Sequence, residues 1–400
     1  MTPYILLLIG LPFGIGLQSG LLFVCFISIL TKHRKQLTEL KNRVGRTTVL
    51  SMSLLTAVIS LQMIATLLNP KNPETDIVSF AIGFIPLVLI PSLFILLKPL
   101  DKNQIKKIEL TAATIMGLWS LVVISQSLIG WKISGVSIVT GQSFTRAQGF
   151  YSHPLTLAYV GLMLWPLNFV RLTQNYRDIG RIICLISNML LLYFSASRTA
   201  QAVALLLLVG YVLWSFRGRV RLLIFGLIAA SVVGILITPN AISRRFMKLG
   251  TAQISEEKES GFVDDRVAFW IVHSNMVKER PILGHGINLN RAYRVPYYDA
   301  IGLHDFKKAY EAHNQLLQLA AEGGLVCALA FLAWMISLHW NWSDFEAPWR
   351  RARDLTIVGL FLGGLTQNAY FDGEVRFALI LVMSLAFAYQ MNRFRPSLLD

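Results

Sequence analysis

Residues 154–221 read PLTLAYVGLMLWPLNFVRLTQNYRDIGRIICLISNMLLLYFSASRTAQAVALLLLVGYVLWSFRGRVR. Three apolar blocks, 154–171, 182–196 and 199–215, are separated by short polar connections. Arg171, Arg177 and Arg181 lie in the first connection, and Arg217, Arg219 and Arg221 follow the third block. Each block approaches the roughly 20 residues that carry a helix across a ~30 Å hydrocarbon layer. The same alternation continues in both directions. Further spans fall at about 4–30, 47–68, 77–98 and 109–130 before it, and at 221–238, 313–340, 354–370 and 375–391 after it. Pro12, Gly14 and Gly16 can break the first of these into two pieces. The expected fold is all-α, a polytopic transmembrane bundle of about 11–12 helices.

Composition agrees with a membrane solvent. The chain is 54% hydrophobic and 15% charged, whereas a soluble domain carries about 25% charged residues. The formal charge of +15 does not point to nucleic acid, because no soluble basic face exists to hold a duplex. Instead the cations cluster between apolar blocks. Lys32, Arg34, Lys35, Lys41, Arg43 and Arg46 crowd the first connection, and Lys98, Lys102, Lys106 and Lys107 the third. Arg350, Arg351 and Arg353 mark a later one, and Arg393 and Arg395 lie in the tail. With Arg171–Arg181 and Arg217–Arg221, these fall on every second connection, so all can be cytoplasmic at once.

Residues 239–312 then lie on the opposite side, as one large loop between the bundle parts 1–238 and 313–400. Long connections of this kind are usually functional or structured. Asp264–Glu279 reads as an amphipathic helix, with Phe269, Trp270, Val272, Met276 and Val277 on its apolar side and Pro281 beyond its end. It either packs on the bundle or lies at the headgroup boundary. Tyr293, Tyr297, Tyr298, Phe306 and Tyr310 suit sugar stacking and an interfacial belt equally. Cys25, Cys184 and Cys327 fall inside apolar blocks and read as small buried hydrophobes, so neither a disulfide nor a metal site is expected. The first stretch has no basic leader and is too long for a signal core, so it reads as a retained helix.

Several polar residues sit where a membrane makes them costly. Arg198, in Ser195-Ala196-Ser197-Arg198-Thr199, has almost no loop around it. It either faces a wet functional cavity or snorkels to phosphates at the interface. Arg266 precedes Trp270 by one turn, and is either one of two guanidinium forks on a pyrophosphate or a surface partner of Asp264 or Asp265. His313 lies where the loop re-enters an apolar helix. A neutral imidazole there can take a proton from a sugar hydroxyl, and a capping or core role is the alternative. Asn314 and Glu322 are candidate orienting partners, and Gly323-Gly324 permits a kink. Arg146 adds positive charge, while His153 serves as a turn residue or a ligand ahead of Pro154. No metal-ligand spacing, phosphate-binding loop or dinucleotide fingerprint occurs, and no cofactor is expected.

Together Ser195–Thr199, Asp265-Arg266 with Trp270, Arg280-Pro281-Ile282-Leu283-Gly284-His285-Gly286, His313-Asn314 and Glu322-Gly323-Gly324 resemble the O-antigen ligase family and its polymerase relatives. The resemblance spans about residues 145–375. It implies a bacterial inner-membrane enzyme with its site facing the periplasm. The implied donor is an undecaprenyl-pyrophosphate-linked polysaccharide and the implied acceptor the core sugar of lipid A–core. By the same resemblance His313 is the general base, and Arg198 and Arg266 hold the pyrophosphate, with Arg146 nearby. Ser197, Asn314, Trp270 and Glu322 support them. His285 is assigned no chemistry. Within the class, a polymerase would use a second carrier-linked repeat as acceptor. A transporter is the rival from another class, but neither inverted repeats nor paired broken helices occur.

Overall fold

The computed structural model describes residues 2–33, 46–69, 77–94, 102–131, 146–237, 265–287, 291–304, 311–338 and 347–390. Among the described residues the chain forms fourteen α-helices and one 3-10 turn, and the fold is an all-helical polytopic membrane bundle. The helices are α1 (Thr2–Gly10), α2 (Ile15–His33), α3 (Arg46–Leu67), α4 (Ile77–Phe94), α5 (Lys102–Ile129), α6 (Pro154–Gln174) and α7 (Ile179–Ser195). They continue with α8 (Arg198–Ser215), α9 (Gly218–Ile237), α10 (Asp265–Glu279), α11 (Arg291–Asp299), α12 (Gln315–Ser337), α13 (Ala347–Gly364) and α14 (Gly373–Gln390). The 3-10 turn is Ala369–Phe371. Segments within α3, α5, α6, α8 and α12 are long and apolar enough to cross a membrane, and α2, α4 and α7 contain shorter apolar stretches.

α6 is the hub. It is apolar on all sides, and nearly every residue from Pro154 to Val170 is buried, as a helix surrounded by other helices requires. It packs on α7, α8, α13 and α14. Two polar contacts tie it to its neighbours' backbones or its own: Trp165 Nε1 donates to Ala204 O at 2.9 Å and Thr356 Oγ1 to Met163 O at 3.2 Å.

Several boundaries differ from the sequence reading for physical reasons. Residues 4–30 are a hairpin of two helices. The chain turns over at Leu11–Gly14, where Pro12 cannot supply an amide hydrogen, and Cys25 Sγ comes back to within 4.0 Å of Pro3 O. α5 and α13 each begin about seven residues early because their charged first turns are part of the helix. In α5, Glu109 receives Arg181 Nη2 at 3.1 Å and also pairs with Arg171. In α13, the wholly buried Arg353 pairs with Asp354.

These ion pairs also order the ends of the bundle. The starts of α5 and α7 and the end of α6 meet at the Glu109 cluster. Thr173 and Tyr211 hydroxyls, 2.6 Å apart, tie that end of α6 to the end of α8. There Arg351 lies over the Trp214 ring at 5.4 Å and donates to Ser215 Oγ at 3.4 Å. The described basic connections therefore share one end. Arg34, Lys35, Lys41, Arg43, Lys98, Arg393 and Arg395 lie outside the described residues, as do 238–264, Phe306 and Tyr310.

α12 breaks at Gly324, with φ 80° and ψ 171°. A straight helix would pair Leu325 N with Ala321 O. Here His285 N donates to Ala321 O at 2.9 Å, Gly286 N to Glu322 O at 2.8 Å, and Leu325 N to Pro281 O at 2.7 Å. The 281–287 segment thus takes up three of the backbone groups at the kink. Such contact leaves no room for a Cβ. One on Gly324 would run into the Ile282 carbonyl, and one on Gly284, itself at φ 65°, would lie 2.6 Å from Glu322 O. Gly324→Ala is expected to lower stability by roughly 2–4 kcal/mol, combining a left-handed conformation with a clash. Gly210→Ala on α8, where nothing lies within 4 Å, is expected to be neutral or to gain up to about 1 kcal/mol. Thermal unfolding of the detergent-solubilised protein distinguishes them, and equal melting temperatures would contradict the clasp.

Candidate functional site

At the end of the bundle opposite the basic connections, three chain segments come together. The first is 146–153. Ala147 N donates to Phe194 O at 3.0 Å and Arg146 Nε to Ser195 O at 3.0 Å, which fastens it to the end of α7. Gln126 holds the same segment from α5, accepting from Gly149 N at 2.8 Å and donating to Gly149 O at 2.6 Å. His153 then caps α6, its Nδ1 accepting from Leu155 N at 3.1 Å.

The second is the Ser195–Thr199 turn. Ala196 closes α7 in the left-handed region at φ 51°, and its N–H donates to Tyr193 O at 3.1 Å. Ser197 immediately caps α8, accepting from Ala200 N at 3.4 Å. The two helices therefore abut with no spacer, and Arg198 emerges exposed in the first turn of α8. A helix N-terminus is itself favourable for anions. With Arg198 on it and Arg146 bonded to the Ser195 carbonyl, this corner is strongly electropositive.

The third segment brings α10 against α12. Ala268, Phe269, Val272 and Met276 of α10 bury themselves with Tyr298 and Ala321. Trp270, read above as part of that apolar side, is 39% exposed and lies along an open groove beside Asn314 and Leu317. One turn before Phe269, Arg266 acts electrostatically on the Tyr159 hydroxyl of α6. His273 is buried, donates from Nδ1 to Phe269 O at 2.8 Å, and is pushed down to about 3 by burial and then by Arg294, so it is neutral.

His313 sits between α10 and α6. Its backbone is left-handed, φ 47°, an uncommon conformation for a residue with a side chain and one that concentrates at functional sites. Its ring lies 5.4 Å from Phe269, tilted by 32°. Its Nδ1 is 2.9 Å from Gln367 Oε1. With its amide oxygen toward the ring, Gln367 accepts from Nδ1–H, and in that tautomer Nε2 bears the lone pair. A recess of about 310 Å³ opens here, lined among others by His313, His153, Tyr159, Glu311, Gln367 and Asp372. Arg146 borders it through His153, whose pKa is lowered by partial burial first and then by the Arg146 charge, with His313 adding to this and Asp372 opposing it. Asp372 accepts from Thr156 Oγ1 at 2.6 Å and caps α14 through Glu374 N at 3.1 Å.

His313 thus lines the recess, while Arg146 and Arg266 do not line it and act electrostatically on its lining residues His153 and Tyr159, and Arg198 stands on the Ser195–Thr199 turn to which Arg146 is bonded. The four supporting residues take other places. Ser197 and Asn314 are helix caps, the latter accepting from Leu317 N at 3.1 Å. Trp270 is on the outer flank. Glu322 is 2% exposed and accepts from Gln62 Nε2 at 2.9 Å and Gln318 Nε2 at 2.7 Å. Gln318 Oε1 in turn accepts from Ala312 N at 2.8 Å, so Glu322 reaches His313 only through the backbone before it. His285 is buried against Met276 O at 2.9 Å.

Among the residues that escaped the sequence reading, besides Asp372, Glu311, Tyr159 and Gln318, are Gln367 and Arg294. Gln367 lay inside an assumed span, 354–370. The helix in fact stops at Gly364, and the polar run Thr366-Gln367-Asn368 was the available signal. Arg294 on α11 is buried beside Glu322 and Glu311, whose charges offset the burial that lowers its pKa.

A chain with this bundle and a polar recess at one helix end is a multi-pass membrane protein with a candidate site at the end of its helices. Residues 182–332 match the family model described as O-antigen ligase. Over that stretch, about two fifths of its length, the chain is similar to the O-antigen ligase family. The matched segment holds Ser197, Arg198, Arg266, Trp270, His313, Asn314 and Glu322, while Arg146, His153, Gln367 and Asp372 lie outside it. A search of curated proteins returns no match.

Ser152 and Tyr176 are both exposed, at the recess end and the basic end of α6 respectively. A membrane-impermeant maleimide applied to intact spheroplasts is expected to label Ser152→Cys and spare Tyr176→Cys. The reverse pattern would turn the recess toward the cytoplasm.

Proposed function

We propose that this chain transfers a glycan from an undecaprenyl-pyrophosphate carrier to the core sugar of lipid A–core, in the bacterial inner membrane, with the recess and residues 239–312 facing the periplasm. The observation that carries the reading is His313, whose Nδ1 lies 2.9 Å from Gln367 Oε1 in a polar recess, with Arg146 and Arg266 acting electrostatically on the lining residues His153 and Tyr159. The acceptor hydroxyl oxygen attacks the anomeric carbon and forms the new glycosidic bond with inversion. The bond from that carbon to the pyrophosphate oxygen breaks, and its electron pair leaves with undecaprenyl pyrophosphate. The hydroxyl proton passes to His313 Nε2. The donor is already activated, so catalysis consists of positioning, one base and charge stabilisation of the departing diphosphate. Arg198, Arg266 and Arg146 supply that charge as guanidinium forks matched to phosphate oxygens, and no metal is required.

Transfer from purified carrier-linked glycan to lipid A–core in proteoliposomes tests this. His313→Ala is expected to lose about 10²–10⁴-fold in kcat. Arg266→Ala or Arg198→Ala is expected to raise the donor KM and to lower kcat by about 10²–10³-fold. A chelator is expected to leave the wild type unchanged. Full activity in His313→Ala would refute the assignment of the base. Products that grow only on the carrier would make the enzyme a polymerase, as would single-repeat caps in a deletion strain.

A further inference from the structure

We infer that Gln367 is the positioning residue of His313: it selects the imidazole tautomer and fixes the ring for proton transfer. The inference rests on the reading of His313 as base and goes beyond it, because it assigns the second half of the pair to a residue outside the family match.

The geometry pairs Nδ1 with an amide oxygen, which selects the Nδ1–H tautomer. Gln367 Oε1 is 2.9 Å from His313 Nδ1, and both residues line the recess. The Phe269 ring, 5.4 Å away, borders the imidazole on another side. The backbone on both sides of this contact is held as well. Ala312 N donates to Gln318 Oε1 at 2.8 Å, and Asn368 Nδ2 donates to the same oxygen at 3.4 Å and to Glu311 Oε2 at 3.1 Å. Gln318 thereby joins the residue before His313 to the residue after Gln367, and the contact cannot slip without breaking bonds at both ends. When Nε2 takes a proton, Nδ1–H becomes a more acidic donor, and the amide dipole stabilises the charge that appears. A partner of this kind orients an imidazole and raises its basicity, and losing one typically costs 10–100-fold.

The charged and titratable groups around His313 are Glu311 in its own segment, His153 and Arg146 ahead of α6, Tyr159 on α6, His273 and Arg266 on α10, and Asp372 ahead of α14. None of them occupies Nδ1, so a carboxylate placed at position 367 acts on that nitrogen directly. It would favour the imidazolium, so His313 would stay protonated to higher pH. The acidic limb of the pH–kcat profile would then move to higher pH.

The test uses the full chain in proteoliposomes with carrier-linked glycan and lipid A–core. Gln367→Leu is expected to lose about 10–100-fold in kcat with little change in donor KM. Gln367→Glu is expected to recover most of kcat at alkaline pH, with its acidic limb moved upward. Nitrogen NMR of the ¹⁵N-histidine-labelled protein reads the tautomer without any turnover, the His313 signal being assigned by its loss in His313→Ala. Nδ1–H dominance in the wild type and its loss in Gln367→Leu are expected. An unchanged kcat in Gln367→Leu, an unmoved limb in Gln367→Glu, or a wild-type Nε2–H tautomer would each overturn the inference. If instead His313→Ala is fully active while the NMR result holds, the pairing stands and the catalytic reading fails.

Discussion

The site depends on a broken helix. A left-handed Gly324 leaves backbone donors and acceptors of α12 without their helical partners, and inside a membrane-embedded bundle such groups cost several kcal/mol each if unmatched. The 281–287 segment matches them, and in doing so it anchors the end of α10. Everything on α10 that faces the recess, Phe269 against the imidazole and Arg266 toward Tyr159, is placed by that anchor. Asn69 Nδ2, donating to His285 O at 2.6 Å, and Thr66 Oγ1, accepting from Ile287 N at 2.8 Å, extend it to α3. The glycines of the Pro-Ile-Leu-Gly-His-Gly run are therefore spacing elements: they let two backbones meet where side chains would hold them apart.

A second constraint is the separation of charge. Cations at one end form ion pairs and carbonyl contacts, such as Arg181 with Glu109 and Arg221 with Phe216 O at 2.8 Å. At the other end Arg146 and Arg266 act on His153 and Tyr159 of a recess whose lining also includes Glu311 and Asp372. Arg376 shows how a buried cation within the bundle is otherwise accommodated. It lies 3.9 Å from the Phe84 ring and donates to Gly83 O, Tyr370 O and Phe371 O. That contact steadies the 3-10 turn that follows Gln367 and Asn368. Arg198, by contrast, lies exposed in the first turn of α8.

Much of this was legible in the sequence because hydrophobicity is local. The apolar blocks, their alternation with basic connections, the loop helix ahead of Pro281 and the Gly323-Gly324 kink all depend on residues near one another in the chain. What stayed hidden needed distance information. Glu322 was visible as a polar residue in an apolar helix, but its partner Gln62 is 260 positions away and on α3. Trp270 looked like part of an apolar stripe because its neighbours are apolar, and only the contact with α12 decides which flank is covered. Gln367 was obscured by a span drawn six residues too long, since Gly363-Gly364 does not interrupt hydropathy although it ends the helix. The hairpin at Pro12 was visible as a break and not as a reversal, because proline specifies a lost hydrogen bond and leaves the exit direction to packing.

The most direct measurement is an experimental structure of the full chain in a lipid nanodisc with a non-transferable carrier-pyrophosphate analogue. The diphosphate is expected beside Arg198, Arg146 and Arg266, with the sugar's anomeric carbon within about 4 Å of an acceptor oxygen that His313 Nε2 can reach. A diphosphate seated at the Glu109, Arg171 and Arg181 end, or an imidazole turned away from the bound sugar, would contradict the shared recess.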